Sequence, residues 1–319
     1  MAKVVALGEL LIDFAQISTE NGYPTMKANP GGAPCNYLAA LGKYGISTAF
    51  IGKVGNDAFG KALVDTMEKT GIDTRGIVMD DNVFTTLAFV TNDEKGDRSF
   101  SFARKPGADT CLNWDEVDKS LIDECEVFHF GTLSLTDEPA KAATEKAVAY
   151  AKEKGKLISF DPNLRKPLWN DLAKAREAII WGLHQADIVK ISDEEVEFLW
   201  HGLVSEGEAR YKLNNEFDIS LVMITKGENG AFIANRDHAV QVKTPKVNTI
   251  DTTGAGDIFG GSAVARLFEL NKHPEALTAE ELEYIGKYAA TAASLSTEKQ
   301  GGIPSVPDKE TVLEKMAEE

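Results

Sequence analysis

The chain has 319 residues, enough to bury a large core, and at 43% hydrophobic and 26% charged its composition is that of an ordinary soluble globular protein. Its 34 Lys and Arg against 50 Asp and Glu leave a net charge of −16, which argues against nucleic acid as a partner, because that binding needs a basic face. Cys35, Cys111 and Cys125 lie in separate segments, so no disulfide framework is expected and a reducing, cytoplasmic setting is the default.

The N-terminal stretch "MAKVVALGELLIDFAQ" holds an apolar run broken by Glu9 and Asp13. That pattern suits a buried first strand better than a signal peptide. Nowhere do eighteen apolar residues follow one another, so no transmembrane helix is expected. A helix ("PCNYLAALGKYG", 34–45), a strand ("TAFIGKV", 48–54) and a second helix ("FGKALVDTMEKTG", 59–71) follow. In front of that second helix, "GNDAFGKA" (55–62) has the Gly-x4-Gly-Lys spacing of a phosphate loop. Ala62 stands where a metal-binding hydroxyl is needed, and Asp57 lies inside the would-be cradle, so the stretch reads as a turn entering a surface helix.

Residues 84–109 then break the rhythm. They alternate like an antiparallel hairpin with a polar turn at 92–97, "NDEKGD". With residues 14–30 they are expected to form a small β-layer, placed as a lid over the edge of the main sheet where ligands of open α/β sheets bind. Beyond it, strands over "EVFHFGTL" (126–133), "LISFDPN" (157–163), "DIVKIS" (187–192), "LVMITKG" (221–227) and "AFIANR" (231–236) alternate with helices over 138–155, 172–186, 193–200 and the run after Asp257. Alternation of this kind predicts an α/β fold: a mainly parallel sheet with helices on both faces, in one domain over 1–319. The closing "DKETVLEKMAEE" reads as a solvated helix end.

Several chemistries lack their parts. His129, His184, His201, His238 and His273 are scattered, and neither a His-Glu-x-x-His nor a Cys-x-x-Cys pair is present. His129, inside an apolar strand, reads as a satisfied core histidine. Gly254-x-Gly256 has the first two glycines of a dinucleotide fingerprint, but Phe259 fills the place of the third small residue and the motif sits near the end of the chain. A nicotinamide-dependent oxidoreductase is therefore an outsider.

The informative stretch is "NTIDTTGAGDIFGG" (248–261), in which a flexible turn enters an apolar helix. Such a helix start attracts anions through its backbone N–H groups and dipole, yet Asp257 lies in its first turn. Phosphoryl transfer to an alcohol reconciles the two. The side chain can take the proton of the attacking hydroxyl, while the amides of Gly254, Ala255, Gly256 and Asp257 face the charge developing on the phosphoryl oxygens. An N-capping reading accounts for Thr253 or Asp251 but not for two glycines in a first turn, where each costs about 1 kcal/mol in helix propensity.

At this point a resemblance can be stated. "DTTGAGD" (251–257) resembles the C-terminal signature of the ribokinase-like, or phosphofructokinase-B, sugar kinases. "GGAPCNYLAALGKYG" (31–45) with "FIGKVGNDAFG" (50–60) resembles their N-terminal signature. The likeness covers essentially the whole chain, and "GELLIDF", "FHFGTLSL", "FDPNLRKPLW" and "DIVKISDEEVEFL" are similar to the fructokinases among them. It implies a three-layer α/β/α fold with a small β-sheet lid, and transfer of the γ-phosphoryl group of ATP, with Mg2+, to the 6-hydroxyl of D-fructose. The alternatives are a 2-keto-3-deoxygluconate kinase or another sugar kinase of the family, and a sugar-binding regulator without turnover.

By position, the resemblance makes Asp257 the catalytic base and Gly254, Ala255 and Gly256 the anion hole. Asp13, Gly31, Gly32 and Asn36 fall on the sugar side, with Arg104, Asn163 and Arg165 near the sugar or the transferred phosphate. Lys190, Ser192, Thr225 and Gly227 fall on the nucleotide side, Ser192 standing where the family pattern has asparagine. Glu195 matches a glutamate linked to magnesium through water. Asp251 and Thr253, with backbone groups around "QGGIPS", match a monovalent-cation site that would take K+. The resemblance also allows a homodimer paired through the lid.

Overall fold

The structure, a computed structural model, describes residues 1–92 and 98–318; most of the expected turn at 92–97 therefore lies outside the described residues. Thirteen strands appear among them: β1 (Val4–Leu7), β2 (Leu11–Glu20), β3 (Tyr23–Gly31), β4 (Thr48–Gly55), β5 (Asp73–Asp80), β6 (Leu87–Asn92), β7 (Arg98–Ala103), β8 (Val127–Gly131), β9 (Leu157–Asp161), β10 (Ile188–Ser192), β11 (Leu221–Thr225), β12 (Ala231–Ala234) and β13 (Ala239–Val242). The helices are α1 (Ala33–Lys43), α2 (Ala58–Lys69), α3 (Lys119–Glu124), α4 (Ala140–Glu153), α5 (Leu172–Gln185), α6 (Asp193–Trp200), α7 (Glu206–Tyr211), α8 (Ala255–Leu270), α9 (Ala279–Ser296) and α10 (Lys309–Ala317).

The main sheet runs β13-β12-β11-β10-β9-β8-β1-β4-β5. All its neighbours are parallel except β11 with β12 and β12 with β13, which form an antiparallel edge. Its inner strands are rich in Val, Ile, Leu and Phe and almost wholly buried, as a parallel sheet covered on both faces requires. One face packs on α1, α8 and α9 around Leu38, Phe50, Ile258 and Tyr288. The other packs on α3, α4 and α5 around Leu121, Val148, Phe160 and Ile179. The expected three layers and mainly parallel sheet are thus present.

The second sheet runs β3-β2-β6-β7 and is antiparallel except where β2 lies parallel to β6. Phe14 on β2 stacks on Phe89 at 5.3 Å and meets Phe59 of α2 edge-on at 5.6 Å, which ties this sheet to the main body. Of the regular elements, β5, β13, α3, α7 and α9 are not singled out by the sequence reading. The would-be phosphate loop is a helix entry: Asp57 caps α2 by accepting from the backbone N–H groups of Phe59 and Gly60.

Candidate active site

The site gathers where the parallel strands end and α8 begins. Gly254 is the N-cap of α8 with φ of 77°, a left-handed conformation that glycine adopts without strain, and no side chain caps the helix. The capping reading fails here for a specific reason. Asp251 turns back on its own loop, accepting from the N–H and hydroxyl of Thr253 at 3.0 and 2.7 Å and from the N–H of Gly301 at 3.0 Å. The Ala255 N–H donates to the Thr252 carbonyl at 3.3 Å, no side chain caps the amides that follow, and Ala255 and Gly256 line the adjoining cleft.

Asp257 is buried, at 7% exposure. Asn36 donates its side-chain amide to Asp257 Oδ2 at 2.8 Å, and Asn163 donates its own to Oδ1 at 2.8 Å. Burial pushes the Asp257 carboxyl above its ordinary range; Lys190, Asn36, Arg165 and Asn163 pull it back. Two amide donors, one for each oxygen, fix the plane of the carboxylate and favour its charged form.

Asn36 owes its place to close packing. A Cβ on Gly302 would overlap the Asn36 amide group, and one on Gly254 would come within 2.8 Å of Gly302 Cα and 3.1 Å of Asn36 Nδ2. Both glycines are therefore required by contact. Asn163 follows β9 with φ of 45° and donates its backbone N–H to Asp161 Oδ1 at 3.1 Å.

Behind the turn, Lys190 ends in a buried ion pair with Asp161, Nζ to Oδ2 at 3.0 Å. A Cβ on Gly256 would stand 2.9 Å from Lys190 Nζ, so the ammonium lies directly under the turn at 254–257. Burial works against this charge, but Asp161, Glu195 and Asp257 outweigh it and raise the Lys190 pKa. Burial likewise lifts Asp161 to about 7, against the pull of Lys190. Asp161 was missed in the sequence, although an acid inside the apolar run "LISFD" carries the same signal that singled out Asp13.

Asp13 is half-buried on β2, with Gly31 so close across the strand pair that a Cβ there would overlap its carboxylate. Burial raises Asp13 to about 6; Arg165 opposes the shift and Asp257 and Asp251 add to it. Asp13, Arg165 and Asp257 therefore share one electrostatic site. Gly32 is the N-cap of α1, the helix that carries Asn36. Arg104 has partners within the protein: its side chain, 3% exposed, is engaged by Asp109 at 2.7 Å and by Thr136 and the Leu133 carbonyl, each at 2.8 Å.

Thr225 and Gly227, expected beside the nucleotide, line a cleft of about 820 Å³ together with Asn229, Val247, Ala255 and Gly256. The cleft therefore runs to the foot of α8. Ser192 caps α6, and Glu195 closes a capping box, accepting from the N–H of Ser192 at 2.8 Å and of Leu164 at 2.7 Å. His129 is a core residue, stacked on Tyr37 at 3.8 Å with Nδ1 3.0 Å from Ser159 Oγ; burial lowers its pKa to about 3.

Among the described residues no cluster of three His, Cys, Asp or Glu side chains is placed to hold a metal ion. Both oxygens of Glu195 are engaged by backbone N–H groups, which fits a magnesium ion carried by nucleotide phosphates and reached through water. The Asp251 carboxylate joins the loop at 251–253 to Gly301, which fits a loop-built cage for a monovalent cation. Among the described residues no helix is long and apolar enough to cross a membrane.

Comparison with known proteins accords with this geometry. Residues 1–309 match the model of the pfkB family of carbohydrate kinases. Fructokinase-1 of Zea mays is 41% identical over 317 residues, 98% of this chain and 96% of that relative. The crystal structure of fructokinase with bound ATP from Xylella fastidiosa superposes with a TM-score of 0.89 at 29% identity, covering 100% and 99% of the two chains. A double mutant of fructokinase from Vibrio cholerae, with fructose, ADP and a potassium ion bound, gives a TM-score of 0.88 at 30% identity over 99% and 98%.

Proposed function

The chain belongs to the pfkB family of carbohydrate kinases, and we propose that it is a fructokinase, transferring the γ-phosphoryl group of ATP to the 6-hydroxyl of D-fructose. The observation that carries this reading is Asp257 at the foot of α8, with each carboxylate oxygen held by an asparagine amide and no side chain capping the helix beside it.

In this reading the sugar lies between Asp13, the Gly31–Gly32 turn and Arg165, with the acceptor hydroxyl at Asp257. As the hydroxyl oxygen bonds to the γ-phosphorus and the bond to ADP breaks, its proton passes to an oxygen of Asp257. The amides of Gly254, Ala255, Gly256 and Asp257 meet the charge on the phosphoryl oxygens, and the Lys190 ammonium below adds to their field. The nucleotide occupies the cleft beside Thr225 and Gly227. Glu195 would face magnesium through water, and Asp251 and Thr253 would border a potassium ion. Such cations neutralise phosphate charge when bound.

The exposed Ile17 and Tyr23 on β2 and β3 support a homodimer paired through the small sheet. The cysteines, free among the described residues, support a cytoplasmic location. ADP release with ATP and magnesium over fructose, ribose, tagatose, 2-keto-3-deoxygluconate and adenosine tests the assignment. Fructose is expected to give the highest kcat/KM. A higher value for the keto-deoxy acid replaces the sugar and keeps the mechanism, whereas sugar binding without turnover favours the regulator.

A further inference from the structure

The chain passes four times between the main sheet and the small sheet: at Gly8–Leu11, Gly31–Ala33, Phe84–Leu87 and Ala103–Asp109. One buried polar knot touches all four passages. Arg104, on the last, reaches into the main body, donating to the Leu133 carbonyl and to Thr136 Oγ1 just beyond β8. It also donates Nε to Asp109 Oδ2 at 2.8 Å. The other oxygen of Asp109 accepts a hydrogen bond from the Thr86 hydroxyl on the third passage. Thr86 in turn offers its carbonyl to the N–H of Ile12, at 3.2 Å, where β2 begins. Glu9, on the first passage, feels the charges of both Arg104 and Asp109 and accepts from the N–H of Ala33, at 2.7 Å, on the second. Arg104, Asp109, Thr86 and Glu9 are all buried, at 6%, 6%, 1% and 3% exposure.

We infer that Arg104 acts as a positioning residue: with Asp109 and Thr86 it fixes the roots of the small sheet to the turn after β8, and so sets where that sheet meets the sugar. Its guanidinium is too heavily committed to be a ligand for sugar or phosphate. The inference rests on the reading of the protein as an ATP-dependent sugar kinase, though not on which sugar it takes. Its chemical consequence concerns water. A sheet held at its roots covers the γ-phosphorus; a loosened one lets water attack there, giving ADP, inorganic phosphate and a proton instead of a sugar phosphate.

The test compares Thr86→Val, Asp109→Asn and Arg104→Lys in the full chain, measuring ADP and sugar phosphate separately along with thermal unfolding. Thr86→Val removes one hydroxyl from a near-isosteric side chain, so it remains readable if the charge variants fail to fold. Each variant is expected to raise the ratio of ADP to sugar phosphate, by about threefold to tenfold for Thr86→Val. Thr86→Val and Asp109→Asn combined should do little more than Asp109→Asn alone, because both act on the Thr86–Asp109 contact while only Asp109→Asn also weakens the pair with Arg104. A wild-type-like ratio and sugar KM in folded Thr86→Val would overturn the inference, most directly if Arg104→Lys then lost activity by itself, as a direct ligand would. Absence of sugar turnover in the unsubstituted protein would instead count against the kinase reading.

Discussion

Asn163 donates its side-chain amide to Asp257 Oδ1 at 2.8 Å, and it does so from a left-handed backbone conformation with φ of 45°. A non-glycine residue held there costs free energy, which a positioning role would account for. With Asn36 on the other oxygen, the amides of the two asparagines set the orientation of the base before any substrate arrives.

Asn163→Gly removes that amide while keeping a residue at ease at positive φ. Because the amide favours the charged carboxylate, its loss should raise the Asp257 pKa further. The acidic limb of kcat/KM is expected to move to higher pH, with a loss of about tenfold on its acid side. A pH–rate profile of both proteins checks this; an unmoved limb would mean that the amide does not tune the base.

Gly302→Ala tests the packing behind the other asparagine. Its Cβ would overlap the Asn36 amide group and displace it from Asp257 Oδ2. The expected result is a loss of at least about tenfold in kcat at a cost of about 1–3 kcal/mol in stability. Steady-state kinetics with thermal unfolding separate the two effects.

Glu9 gives a prediction about stability alone. Burial raises its carboxyl from 4.5 to about 7, against its backbone hydrogen bonds. The folded protein therefore holds this proton more tightly than the unfolded chain, so the stability it supplies is present below pH 4.5 and is lost as pH rises through about 7. Glu9→Gln keeps the acceptor for Ala33 and removes the titration. Relative to the native chain it should gain up to about 3 kcal/mol between acid and neutral pH, measured as denaturant midpoints across that range.

Much of the fold was legible because buried parallel strands are mostly apolar runs; "VVAL" and "LVMI" are unbroken, and "FIGKV" is interrupted only by Lys53, whose ammonium pairs with Asp80 and Glu116. The Asp257 turn was legible because acid and glycines conflict with simple helix propensity. The Thr278–Glu281 capping box that starts α9 was equally readable and was passed over. The Lys190–Asp161 pair, the partnership of Arg104 with Asp109, and the seat of Asn36 against Gly302 were not readable. Each joins residues 5 to 266 positions apart, and side-chain pairing at such distances leaves no local pattern. Arg104 shows the consequence: the residue type suggested an anion ligand, while Asp109 takes up its charge.

The central claim is that Asp257 takes the proton of the sugar hydroxyl, and Asp257→Asn tests it most directly because an amide keeps the shape and cannot accept that proton. The measurement is kcat for fructose phosphorylation in the native and substituted proteins, with fructose and ATP binding measured alongside. Loss of kcat by about 10²-fold to 10⁴-fold with binding preserved is the expected result. Full turnover in folded Asp257→Asn would contradict the account and leave the residue as part of a helix start only.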